Sequence, residues 1–166
     1  MTEAEWESLI ENMWLSFDGS REEDFRVRME EVVALYPSQG GAGLFEQAGM
    51  WDSTGRSDLA VPLYREALDR GLSEDRRRRA VIQLASSLRN VGELQQAEAL
   101  LRGESGRGSD ELDDAVVAFH ALTLADLGRT GEALSMTLKA LAPHLVRYQR
   151  SLSAYADDVM DTEVSE

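Results

Sequence analysis

The most conspicuous reactive groups in this chain are four consecutive arginines at positions 76–79. A guanidinium recognises a carboxylate through two parallel N–H donors. Ser73 precedes the run as a helix N-cap, with Glu74 and Asp75 behind it. The arginines therefore fall near a helix N-terminus, where the macrodipole disfavours positive charge. Two explanations stand side by side: pairing with acids of the preceding helix, such as Asp69 or Glu66, or recognition of a carboxylate-bearing partner. On the same helix Arg79, Gln83, Ser86 and Asn90 recur at i, i+4, i+7 and i+11, flanked by Arg89. That spacing makes one polar stripe, while Leu84, Ala85, Leu88 and Val91 face neighbouring helices. A solvated face with no ligand is the alternative reading of the stripe.

Other chemistry finds little support. His120 and His144 are the two histidines, and neither has a ligand partner at i+4. His120, between Phe119 and Ala121, reads as a core or half-buried residue with one hydrogen bond. His144, after Pro143, reads as a capping or solvent-facing group. The glycine-rich stretches SQGGAG at 38–43 and GESGRG at 103–108 lack the strand and lysine of a phosphate loop and read as linkers. The acidic run at 110–114 opens a helix, where carboxylates complement the dipole. There is no cysteine, hence no disulfide, thiolate site or cysteine nucleophile. No metal, cofactor or catalytic residue is expected, and the chain is read as a non-enzyme.

The net charge of −14 argues against nucleic-acid or anionic-membrane binding. Residues 1–31 hold ten acids against three arginines, and the chain after Arg150 carries acids with no base. No apolar run approaches the ~20 residues that span a bilayer, and the acidic, amphipathic start lacks a secretory pattern. The expectation is a cytoplasmic protein. Sixteen of the 17 basic residues are arginine, which fits a GC-rich bacterial genome.

The stripe and the arginines need helices to position them, and period-3.6 patterns dominate. Trp6, Leu9, Ile10, Met13, Trp14 and Phe17 form one apolar stripe, with Thr2 and Glu5 as a capping box at its start. Ser20 and Glu23 predict a second box, followed by Phe25, Met29, Val32, Val33 and Tyr36, with Pro37 as the stop. Pro62 is placed near the start of a helix, and Pro143 between the last two helices.

From residue 41 the pattern repeats. Gly55, Gly92 and Gly128 each have alanine seven residues before (Ala48, Ala85, Ala121) and five after (Ala60, Ala97, Ala133). Four before each is a large apolar residue, Trp51, Leu88 or Leu124. Small residues let two antiparallel helices approach, and the glycine supplies the turn. Ala48, Trp51, Gly55, Ala60, Tyr64 and Ala67 resemble the tetratricopeptide repeat, and residues 41–150 resemble small bacterial proteins of that family. The glycines are 37 and 36 apart against the usual ~34. The extra residues fall around Gly71 and at 103–110. Repeat two has Glu104 at the late alanine position, so its second helix is expected to be short.

The resemblance implies an all-α, right-handed superhelix of about four antiparallel pairs plus a terminal capping helix. The expected organisation is one domain over 1–160: a degenerate pair at 1–37, repeats at 41–74, 78–111 and 114–144, a cap at 146–159, and a disordered acidic tail at 161–166. It also implies a protein- or peptide-binding adaptor whose first helices line a concave groove. The groove residues would be Arg79, Gln83, Ser86, Arg89 and Asn90, flanked by Phe45 and Asp52 on one side and Phe119, Leu122 and Asp126 on the other. The family's carboxylate clamp uses lysine and asparagine, and this chain has no lysine there. The alternative is a self-associating structural subunit, with Trp6 and Trp14 of the first helix buried against another copy in a homodimer.

Overall fold

The computed structural model describes residues 1–36 and 40–163, with side chains to 160. The described residues form nine α-helices and no strand. None of those helices is long and apolar enough to cross a membrane. The chain divides into two compact units, 1–91 and 92–166.

The first unit holds α1 (Glu3–Leu15), α2 (Glu22–Ala34), α3 (Ala42–Ser53), α4 (Ser57–Arg70) and α5 (Glu74–Asn90). Each helix packs on the next. The Thr2–Glu5 capping box forms at the start of α1. The second expected box does not form, because Ser20 instead bonds Asp18 through both its N–H and its hydroxyl. Arg21 takes the N-cap of α2 without a side-chain bond. The Pro37 stop lies outside the described residues. Pro62 sits past the first turn of α4 rather than at its start. Its exposed position lets water reach the carbonyl left without a donor.

Trp6, Ile10, Met13, Phe25, Met29 and Met50 form one buried cluster, with Trp14 and Phe17 packed against it. Trp6 donates its indole N–H to the Val32 carbonyl at 3.0 Å, and Trp14 donates to Glu46 at 2.7 Å. Trp6 is therefore buried inside the chain and is not available to another copy, whereas Trp14 is half-buried and keeps part of its ring at the surface. A large amphipathic ring finds its apolar and polar partners together on α2 and α3.

The α3–α4 turn follows the repeat logic. Gly55 adopts φ +76°, and the following Arg56 N–H reaches back to the Trp51 carbonyl at 2.8 Å. This is the closing bond of a Schellman turn, which needs a left-handed residue before it. Ala48 and Ala60 have no exposed surface, so the two helices meet through methyl groups.

The second unit holds α6 (Leu94–Glu104), α7 (Asp113–Asp126), α8 (Thr130–Leu141), a 3-10 turn (Ala142–His144) and α9 (Gln149–Glu163). The α7–α8 turn repeats the same device, with Gly128 at φ +81° and Arg129 N–H on the Leu124 carbonyl at 2.9 Å. Helix α6 has 11 residues and is short, as expected. Pro143 lies in the 3-10 turn that separates α8 from α9. Helix α9 continues through 161–163, which the sequence reading assigned to the tail; 164–166 lie outside the described residues.

His120 is buried on α7, and neither ring nitrogen has a hydrogen-bond partner among the described residues. The nearest acid, Glu98 on α6, is 3.7 Å away and also holds Arg102 and Arg129. The expected single hydrogen bond is thus replaced by a longer ionic contact. Burial holds the His120 pKa below its ordinary value, against the opposing pull of Glu98 and Glu132. The unfolded chain therefore binds a proton first as pH falls. Stability supplied by neutral His120 is full above the unfolded pKa of ~6.5 and is lost as pH falls toward the lower folded value. Thermal melts at pH 7.5 and 5.5 should show a larger loss of Tm for wild type than for His120→Phe. Equal losses would place the acid sensitivity elsewhere.

Candidate functional site

The first unit carries a hollow of about 460 Å³ between α1, α3 and α5. Ile10, Trp14 and Leu15 make its apolar wall, and Glu46 and Arg76 its charged floor. Glu11 and Arg79 stand at its rim on opposite helices.

The floor explains one arginine of the run. Arg76 forms a two-pronged pair with Glu7 of α1, at 2.7 and 2.5 Å. Its Nε donates to Glu46 of α3 at 3.3 Å, and its guanidinium lies 5.7 Å over the Trp6 ring. The expected pairing with α4 acids does not occur at Arg76, and Glu66 pairs with Arg70 instead. Arg77 pairs within its own turn with Glu74, and Arg78 is buried. Three helices thus converge on Arg76, and the energy of that convergence offsets the unfavourable helix-terminal charge.

Glu46 is almost fully buried, and desolvation raises its pKa above the ordinary carboxylate value. The Trp14 N–H and the charges of Arg76 and Arg79 oppose that rise without cancelling it.

Arg79 differs from its neighbours. It is exposed, its guanidinium lies 5.2 Å over the Phe45 ring, and it makes no hydrogen bond or ion pair among the described residues. Phe45 lies beneath it, 2% exposed and packed against Tyr64, so its ring does not line an open groove as the sequence suggested. Gln83, one turn along α5, is half-buried, with its side-chain oxygen unpartnered. Ser86 and Arg89 are half-buried on the same helix.

Asp52 and Asn90 are engaged inside the unit. Asp52 Oδ1 accepts from Ser57 at 3.0 Å and Ser87 at 2.8 Å. The Asn90 amide donates to the Ser57 hydroxyl at 3.1 Å. This polar knot ties the ends of α3, α4 and α5. In the second unit, Phe119 is half-buried and Leu122 and Asp126 are exposed on α7.

Glu7, Ile10, Glu11, Trp14, Leu15, Glu46 and Arg76 did not enter the groove set read from the sequence. The available signal was Glu46 itself, a lone acid in the apolar stretch AGLFEQAGMW. Such a residue on a buried face needs a partner, and the unexplained arginines were the candidates.

The family model for the tetratrico peptide repeat matches residues 41–159. No curated protein and no solved structure matches the chain. The matched stretch covers all three glycine-centred repeats, and the turns at Gly55 and Gly128 show in atomic detail why the motif recurs. The chain belongs to the tetratricopeptide repeat family, a family of protein-interaction repeat scaffolds.

Proposed function

We propose that this chain is a non-catalytic adaptor that docks a segment of a partner protein on the first-helix face of its repeats. The observation that carries the reading is Arg79, a guanidinium without a hydrogen bond among the described residues, at the rim of a hollow with an apolar wall. Leu15 of that wall is 78% exposed. A segment presenting an apolar side chain beside a carboxylate would place the first against Trp14 and Leu15 and the second on Arg79. Gln83 borders this face one turn along α5, with its unpartnered oxygen buried beneath the surface. Ser86 and Arg89 extend the stripe along α5. Asn90 and Asp52 serve this face by holding the helix ends in place.

Arg79→Glu is the discriminating substitution, because Arg79 makes no hydrogen bond or ion pair among the described residues and acts on Glu46 only through space. In a cross-linked pull-down from lysate of the source organism, wild type should retain a partner that Arg79→Glu loses. Far-UV circular dichroism should be unchanged. The same proteins retained by both baits would overturn the site.

A further inference from the structure

The chain carries 31 acids, yet none falls between Glu132 and Asp157. The cations of that stretch are Lys139, Arg147 and Arg150. Lys139 is paired, its amine 2.6 Å from Asp157. The guanidinium groups of Arg147 and Arg150 are exposed and make no hydrogen bond or ion pair among the described residues. Beside them, in the turn that opens α9, Val146 is 98% exposed and Tyr148 75%.

This turn is held in shape. Tyr148 adopts φ +71°, a left-handed conformation that is costly for an aromatic residue and needs support from its surroundings. The Gln149 amide supplies support, donating to the Pro143 and Leu145 carbonyls at 3.2 and 2.8 Å. A braced turn loses little conformational freedom on binding.

The first unit carries a surface of the opposite sign. On α2, Val27, Glu30, Glu31 and Ala34 recur at i, i+3, i+4 and i+7 and share one exposed face. Val27 is 49% exposed. The Glu30 and Glu31 carboxylates make no hydrogen bond or ion pair among the described residues.

We infer that this face of α2 in one copy of the chain docks on the 146–150 turn of a second copy. Glu30 and Glu31 meet the guanidinium groups of Arg147 and Arg150, while Val27 and Ala34 cover Val146 and the Tyr148 ring. Carboxylate and guanidinium match in fork geometry, and two of each cancel in charge. A net charge of −14 makes copies repel, so they meet best where one of the two faces has no acid. Exposed ion pairs contribute little singly. Apolar contact therefore sets the strength, and charge selects the site. The contact is small, so association is weak and reversible. It joins two different faces and is heterologous. Neither face lines the hollow between α1, α3 and α5, so the inference stands apart from the adaptor reading.

Sedimentation equilibrium of separate and mixed variants tests it. The average mass of wild type should rise above monomer with concentration and fall back in high salt. Arg147→Glu/Arg150→Glu and Glu30→Arg/Glu31→Arg should each stay monomeric alone, with far-UV circular dichroism unchanged. Mixed one to one, the two variants should associate again, because every contact between them pairs glutamate with arginine. Both keep a net negative charge, so mixing brings no general attraction, and a misfolded chain would not regain association. A wild-type monomer at every concentration overturns the inference. So do variants that associate alone as wild type does, or a mixture that stays monomeric.

Discussion

Gly41→Ala should lower stability by about 3 kcal/mol, the upper end of ordinary overpacking. A methyl group at Gly41 would lie 2.1 Å from the Ala67 carbonyl oxygen and 2.8 Å from its carbon. Both obstacles are backbone of α4, so no side chain can swing aside. The Gly41 N–H also donates to the Gly71 carbonyl at 3.0 Å, which pins the start of α3 to the end of α4. Relief requires the two helices to separate, and they are joined by Ala48, Ala60 and Ala67, all without exposed surface. Urea denaturation should show a clear drop in midpoint with an unchanged slope. Gly103→Ala is the control: Gly103 lies in α6 with no atom within 4 Å of the added carbon. There the substitution should stabilise by roughly 0.5 kcal/mol through the unfolded chain. Equal effects at the two glycines would mean that backbone entropy, and not contact, decides both.

Gly41 also marks where the sequence stopped being legible. SQGGAG reads as a linker because glycine clusters usually are, and nothing in one dimension announces a carbonyl from 26 residues onward. Residues 38 and 39 lie outside the described residues; Gly41, in contrast, is buried at a helix junction. The repeat itself was legible because its physics is local. A positive-φ turn demands Gly55 and Gly128, and a close crossing demands Ala48, Ala60, Ala121 and Ala133 at fixed distances from it. Helix α1 was legible as amphipathic for the same reason, but its destination was not. The spacing of Trp6 and Trp14 gives one apolar face, and that face suits another copy or another helix equally. The stripe on α5 was read from periodicity, which places residues on a face without saying which are engaged. Asn90 and Asp52 turn out to brace helix ends, while Arg79 makes no polar bond among the described residues. Long-range ion pairs escape such reading altogether, since Arg76 and Glu7 are 69 positions apart.

Arg76→Ala should cost about 2–3 kcal/mol, and Glu46→Gln should recover part of the loss. Removing one member of a buried pair costs ~3–5 kcal/mol because the other charge stays desolvated. The figure is reduced here because Glu7 is 37% exposed and can be hydrated, and because the Glu46 contact is long. What remains is Glu46, 3% exposed at its side chain, with the Trp14 N–H as its hydrogen-bond donor. In the Glu46→Gln background there is no carboxylate to strand. Arg76→Ala should then cost about 1–2 kcal/mol less, a coupling that a double-mutant cycle reads directly. The pH dependence gives a second test of sign. The folded pKa of Glu46 is raised, so its favourable contribution is full below the unfolded pKa and lost as pH rises through the folded value. Glu46→Gln alone should therefore be more stable than wild type at pH 7, with an advantage that shrinks as pH falls. Arg76→Ala should widen that advantage, because the remaining carboxylate has lost a cation. Additive costs in the cycle would mean that Arg76 acts through Glu7 and the Trp6 ring alone. The α1 wall of the hollow would then be held to α5 through Glu7 and to α3 through the Trp14–Glu46 bond.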